Sequence, residues 1–324
     1  MSDRPLVSIV TPFYNTDAYL AECIESVLLQ SYPHFEYILI DNHSTDRSPE
    51  IAASYAARDP RIRVVSPPSF LGQVQNYNFS VAQIAPSSRY CKVVQADDWI
   101  FPNCVAEMVA LAEENPNVGI VSAYEIKGNQ VFGGGLPPSR RVLPGAEACR
   151  LFLVAGVCMF GSPTTLLYRA DVVRERTPFF EEGRLHEDTE AVFEILAKHD
   201  FGFVHQVLTF TRVHADSITG NTREFAPDAL DRFILVKRFG HDYLDAREYE
   251  SCFRDAQRGY YGGVVRQWMR RPPSGFWKYQ KEGLETVGET LRPARVARHA
   301  FAVLLESVVS PSLLRGIKRL VSAG

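Results

Sequence analysis

The sequence predicts an α/β fold, a mixed sheet flanked by helices, followed by a helical C-terminal region. Three observations predict it. Short β-rich apolar runs alternate with helical apolar spacing through the first half of the chain. Polar residues gather directly after several of those runs, and beyond Phe225 the strand pattern gives way to helical runs rich in arginine. Apolar residues make up 46% of the 324 and charged residues 23%, proportions that bury a substantial core. The length suits about two domains.

Leu6-Val7-Ser8-Ile9-Val10 reads as the first strand, ending at the turn-forming Pro12 and Asn15. A helix follows, with apolar residues at Leu20, Cys23, Ile24, Val27 and Leu28. Pro33 stops it, Phe35 to Ile40 gives a second strand, and Ser48-Pro49-Glu50 opens a second helix with Ser48 as its cap. Arg61 to Val65 is a third strand. A loop with Pro67, Pro68 and Gly72 leads to a helix up to Ile84, then Tyr90 to Gln95 forms a fourth strand ahead of the helix Cys104 to Ala112. This alternation implies parallel strands with helices packed on them. Beyond it come a hairpin-like stretch after Gly119, a Gly133-Gly134-Gly135 loop, a helix around Ala146 to Val154, and strands at Thr164 to Tyr168 and Val207 to Val213. The expected domains are 1–220, carrying the chemistry, and 221–324, helical.

Charge divides the chain in the same way. The total is net −3, without a whole-chain electrostatic footprint for nucleic acid. Residues 225–324, however, hold 17 Lys plus Arg against 11 Asp plus Glu, while the remainder holds 18 against 27. Arg292, Arg295 and Arg298 lie at helical spacing beside Val296, Ala300 and Val303, and Arg315, Lys318 and Arg319 follow. Residues 292–321 therefore fit either peripheral contact with an anionic membrane or a docked helix with solvated arginines. Six cysteines without a CxxC pair, and an N-terminus lacking a signal-peptide apolar stretch, point to a cytoplasmic protein, peripheral on the inner face of the membrane if the tail binds it. Neither of the most apolar stretches offers the ~20 uninterrupted apolar residues of a spanning helix.

In sheets of this kind ligands bind at the carboxyl ends of the strands, so the polar residues placed there are the candidates. Asp97 and Asp98 follow Val93-Val94-Gln95-Ala96, where carboxylates suit a hard divalent cation on substrate phosphates, or a helix-capping turn. Asp41 ends an apolar strand and can accept hydrogen bonds from a nucleobase or ribose, with Asp46 fixing the turn behind it. Asp188 lies at a helix N-terminus, where a carboxylate is stabilised and either takes a proton or caps the helix. His214 offers a ring nitrogen to a metal or serves structure alone, and Arg212 reaches phosphate oxygens or a surface ion pair.

Each signal alone is weak, and their order is specific. The run Pro5 to Asn15, then Ser26 to Tyr32, Asp41 to Asp46, Gln95 to Pro102, Glu187-Asp188 and His214 closely resembles the family 2 glycosyltransferases with the GT-A fold, over residues 5 to about 220. The resemblance implies inverting transfer of one sugar from a nucleotide-diphosphate sugar, usually a UDP-sugar, to an acceptor hydroxyl of a glycan or lipid-linked glycan. It implies that Thr11, Pro12, Tyr14, Asn15 and Asp41 hold the nucleoside. Gln95, Asp98 and Arg212 would lie at the donor, with Asn76 a looser match. It further implies that Asp97 and His214 hold Mg2+ or Mn2+ and that Asp188 is the general base. Many family members have an acid where Gln95 stands, so one contact to metal or sugar is neutral here.

Two other readings compete. A sugar nucleotidyltransferase carries a Gly-rich basic loop after its first strand, whereas Thr11-Pro12-Phe13-Tyr14-Asn15 has neither Gly nor a basic residue. A sugar-nucleotide-binding module that has lost its chemistry would not need Asp41, Asp97, Asp188 and His214 together.

Overall fold

The computed structural model describes residues 4–183, 187–214, 225 and 227–308, with side chains as far as residue 300. The chain divides into two compact units, 1–213 and 214–324.

The first unit is built on a ten-stranded mixed sheet. Strand β1 (Val7–Phe13) is buried at every position, as a central parallel strand covered on both faces must be. Helix α1 (Leu20–Leu28) buries Leu20, Cys23, Ile24 and Val27, the stripe that its spacing predicts. The chain continues through β2 (Phe35–Asp41), α2 (Ser48–Ala56), β3 (Ile62–Val65), α3 (Gln73–Val81) and β4 (Tyr90–Val93). Strands β1 to β4 are parallel in the order β3, β2, β1, β4, so the chain winds outward from β1 and then returns to its other side. The crevice at the carboxyl ends of β1 and β4 is thus the topological switch point, the place where such sheets bind ligands.

The sheet becomes mixed beyond β4. Strand β5 (Trp99–Ile100) and helix α4 (Cys104–Glu114) lead to β6 (Val118–Lys127), which turns back at Gly128 into β7 (Gln130–Phe132). Then come β8 (Val142–Leu143), α5 (Gly145–Ala155), a 3-10 turn at Pro163–Thr165, β9 (Leu167–Arg169), α6 (Ala170–Glu175), α7 (Glu187–Leu196) and β10 (Asp200–Thr211). Strand β9 lies between β4 and β6, antiparallel to both, and β6 and β10 are parallel.

Several boundaries differ from the sequence reading. The first strand runs on to Phe13, because Thr11 and Phe13 pair with Leu39 and Asp41. The helix expected to reach Ile84 ends at Val81, and the fourth strand ends at Val93 rather than Gln95. The strand expected over Thr164 to Tyr168 opens instead with the 3-10 turn, and the last strand begins at Asp200, seven residues before Val207. Arg47, not Ser48, precedes α2; Ser48 is its first residue, and its hydroxyl accepts from Thr16 N at 2.9 Å.

The second unit contains helices α8 (Pro227–Tyr243), α9 (Ala246–Met269), α10 (Phe276–Glu285) and α11 (Pro293–Val308). Asp245 caps α9 in a capping box with Glu248, and Leu230, Phe233, Tyr260, Phe276 and Leu284 form the core. The first turns of α11 dock on α9, with the His299 and Tyr261 rings stacked at 5.4 Å and the Arg295 guanidinium 6.0 Å from the Tyr261 ring. Arg315, Lys318 and Arg319 lie outside the described residues. Among the described residues no helix is long and apolar enough to cross a membrane.

Candidate active site

The loops after β1 and β2 are tied to each other. Asn15, in the left-handed region at φ 50°, accepts from Thr45 N at 2.8 Å, while its own N–H donates to Ser44 Oγ at 3.1 Å. Ser44 N in turn donates to Asp41 Oδ1 at 2.9 Å. Asp46 accepts from Asp17 N and Ser48 N, both at 2.9 Å; desolvation raises its pKa, but these hydrogen bonds outweigh that and hold it below the usual carboxylate value. Asn42 clamps Leu71 through both N–H···O directions at 2.9 Å, which carries the loop before α3 to the same end of the sheet. Tyr14 stands exposed there, edge-on to the exposed Phe70 with ring centroids 5.0 Å apart.

Two of the expected donor-contact residues belong to the sheet itself. Because β1 extends to Phe13, Thr11 and Pro12 lie inside a buried strand. Thr11 is fully buried, and its hydroxyl shares a hydrogen bond with Tyr37 Oη at 3.0 Å.

After β4 the loop 95–98 is held from beneath by hydroxyls. Thr164 Oγ1 accepts from Gln95 N at 3.1 Å and donates to Asp98 Oδ2 at 2.6 Å, while Arg212 N donates to Asp98 Oδ1 at 3.0 Å. Asp98 is therefore turned inward with both oxygens engaged. Burial, reinforced by the Asp97 charge, pushes its carboxyl up to about 7. The neighbouring Thr165 donates to buried Glu125 at 3.1 Å, as does Thr211 at 2.9 Å. Consecutive threonines of one turn thus support two buried carboxylates.

That turn is itself gripped by Lys92, a residue absent from the sequence reading. Lys92 is wholly buried in β4, and its ammonium donates to Thr164 O at 2.7 Å, to Leu166 O at 3.3 Å and toward Met108 Sδ at 3.8 Å. Burial pushes its pKa below the usual lysine value. A lysine in an otherwise apolar strand was the available signal. Arg212 is also committed to structure: Nε donates to Asp97 O at 3.0 Å, the terminal nitrogen pairs with Glu22, and the guanidinium lies 4.7 Å from the Tyr19 ring and 5.2 Å from the Trp99 ring.

Asp97, by contrast, is half-buried at the loop's outer side. Asp188 sits in the first turn of α7, where Thr189 N donates to its Oδ1 at 2.6 Å. Tyr77 stands on α3. Burial pushes its phenol well above the usual value, a hydrogen bond with Gln95 opposes the rise, and the charges of Asp97, Asp98 and Asp188 add to it. Asn76, on the same helix, has its Oδ1 buried without a hydrogen-bond partner among the described residues, an unusual state for a polar atom. His214 is the first residue of the second unit.

Among the described residues no group of three or more His, Cys, Asp or Glu side chains forms a ready-made metal site. A single accessible carboxylate such as Asp97 beside the neutral Gln95 fits a hard ion that draws most of its ligands from substrate phosphates and water, as Mg2+ and Mn2+ do.

The sequence pattern of glycosyl transferase family 2 matches residues 8–177, over half of the chain. Glycosyltransferase GlyG of Streptococcus pneumoniae is 35% identical over 133 residues, covering 39% of this chain and 43% of that protein; the chain thus spans less than half of that relative's length. An uncharacterised glycosyltransferase of Haemophilus influenzae is 28% identical over 68% of this chain and 84% of its own length. Among solved structures, S. aureus TarS 1-349 in complex with UDP-GlcNAc superposes with a TM-score of 0.58 at 16% identity, over 87% of this chain and 79% of that one. The mannosyltransferase PcManGT from Pyrobaculum calidifontis, in complex with GDP-Man and Mn2+, gives 0.57 at 13% identity, over 94% and 87%. These likenesses show the GT-A fold, and the family match over more than half of the sequence shows the family: the chain belongs to glycosyl transferase family 2.

Proposed function

We propose that the chain transfers one sugar, with inversion, from a nucleoside-diphosphate sugar to an acceptor hydroxyl of a glycan or lipid-linked glycan, with Asp188 as general base. The observation that carries this reading is the placement of Asp97 and Asp98 in the loop directly after β4, at the switch point of a chain that matches glycosyl transferase family 2. TarS binds UDP-GlcNAc and PcManGT binds GDP-Man, which supports a nucleotide-sugar donor; UDP is the nucleotide we favour. Asp41 takes the nucleoside's hydrogen bonds, Tyr14 and Asn15 wall the pocket, and the unpartnered Asn76 Oδ1 supports a donor contact on α3.

Asp97 would hold the divalent ion, which when bound supplies charge neutralisation for the departing diphosphate. Asp188 accepts the proton of the acceptor hydroxyl as the new bond forms. The Thr189 hydrogen bonds to Oδ1 fix the carboxylate's rotation and leave Oδ2 for that proton. A single displacement needs no further nucleophile. Residues 1–220 form the catalytic domain in this reading, and residues 292–321 touch an anionic membrane surface, where a lipid-linked acceptor would be met.

A thermal-shift screen of UDP- and GDP-sugars identifies the donor, and nucleoside diphosphate release then tests the chemistry. Asp188→Asn is expected to abolish acceptor-dependent release while donor binding persists. Full transfer by that variant removes Asp188 from the role. Vesicle binding unchanged after deletion of residues 292–324 removes the tail from the membrane contact.

A further inference from the structure

We infer that the corner between α9 and α10 is a membrane-docking surface of its own, built to sit in the headgroup region of an anionic bilayer. The chain has three tryptophans, and two of them flank this one turn. Trp268 and Met269, ending α9, are each 52% exposed, and Trp277, opening α10, is 41% exposed. Trp99, the third, is stacked on Phe210 at 3.6 Å. Exposing large apolar rings at one place costs solubility without helping the core, since Phe276 and Leu284 already fill the inner side of α10.

The charge around the rings specifies the partner. Residues 266–281 contain five Lys or Arg and no Asp or Glu; Lys278 and Lys281 meet Glu282 and Glu285 at 3.7 Å one turn further on, so the net positive charge of the corner rests on its arginines. Arg270 and Arg271 stand exposed in the turn, and Lys278 follows Trp277. Tryptophan beside arginine and lysine is the composition of a bilayer interface, where the indole sits among headgroups and the cations meet lipid phosphates. The turn also holds its shape: Arg271 N donates to Trp268 O at 3.2 Å, Phe276 N donates to Pro273 O at 3.2 Å, and Gly275 takes φ 89°, which only glycine adopts without strain. The rings are thus presented by a fixed corner. This surface shares its partner with the contact proposed for residues 292–321 but none of its residues.

The test uses the full chain with vesicles of phosphatidylglycerol and phosphatidylcholine, against vesicles of phosphatidylcholine alone. We expect cosedimentation with the anionic vesicles and a blue shift of tryptophan emission that is absent in Trp268→Phe/Trp277→Phe. Arg270→Glu/Arg271→Glu should weaken anionic-vesicle binding by about tenfold or more, at roughly 1 kcal/mol per cation. Trp268→Ala/Trp277→Ala should weaken it as well, with thermal stability and nucleoside diphosphate affinity unchanged. Deletion of residues 309–324 should leave the blue shift in place. The inference is overturned if both corner variants bind vesicles like the parent, or if only the tail deletion abolishes binding. It is also overturned if the exposed rings drive a concentration-dependent dimer without vesicles that Trp268→Ala disperses.

Discussion

The two units use charge in opposite ways. At the switch point of the first, carboxylates sit within or beside the core, and Asp98 and Glu125 are each held by threonine hydroxyls. In the second unit, described ion pairs such as Lys278–Glu282 and Lys281–Glu285, both at 3.7 Å, lie on the helix surface. A buried charge must be supported by named partners or its cost is severe, whereas a solvated one is nearly free. Precision therefore belongs to the first unit, and a broad, tolerant electrostatic surface to the second.

The sharpest way to break this contrast lies at Asp97. Asp97→Ala is expected to weaken UDP or GDP binding in Mn2+ buffer by ~10-fold or more, read by calorimetry, with no such loss when the chelated forms are compared. An equal affinity in both proteins would leave the acidic loop without a ligand to hold.

Asp98 gives the next effect. Its folded-state carboxyl is raised to about 7 from an ordinary 3.8, so between those values the folded chain keeps a proton that the unfolded chain loses. Its contribution is greatest below the unfolded value and is lost as pH rises toward 7, each pKa unit being worth about 1.4 kcal/mol. Urea midpoints in chelator at pH values across this window should fall more steeply for the parent than for Asp98→Asn. Parallel slopes would mean that Asp98 is not the titrating group.

Thr164→Val strips the partner from Gln95 N and from one Asp98 oxygen, at a cost of about 1–3 kcal/mol, and Thr164→Ser should recover most of it. Lys92→Met is expected to loosen the same turn. If the turn acts on the loop as a unit, the double variant with Thr164→Val loses less than the two single effects added together. At the small end, Lys281→Ala in the second unit should change stability by less than ~0.5 kcal/mol, because its ion pair is solvated.

Much of this site could be read from the chain alone, since strand-ending acids are visible wherever an apolar run stops. Asp41 and Asp97 stand out for that reason, and Asp188 because it opens a helical pattern. The direction in which a side chain points was not visible. Thr11 looked like a loop residue until pairing with β2 carried β1 three residues further, and Asp98 looked equivalent to Asp97 until Thr164, from a turn far along the sequence, took one of its oxygens. Tyr77 carried no local mark at all; it gains its place from α3 lying over the loop that holds Gln95.

The sequence by itself determined the alternation of strands and helices, the acids at strand ends, the family resemblance and the split between an acidic first part and a basic second one. Those properties depend on local spacing and composition, which are written residue by residue. Tertiary structure alone decided which of two adjacent aspartates faces inward, that a lysine could be buried against backbone carbonyls, and that two tryptophans would stand exposed at one corner. Each of those depends on contacts between segments distant in sequence, or on the lack of them, and only packing creates either.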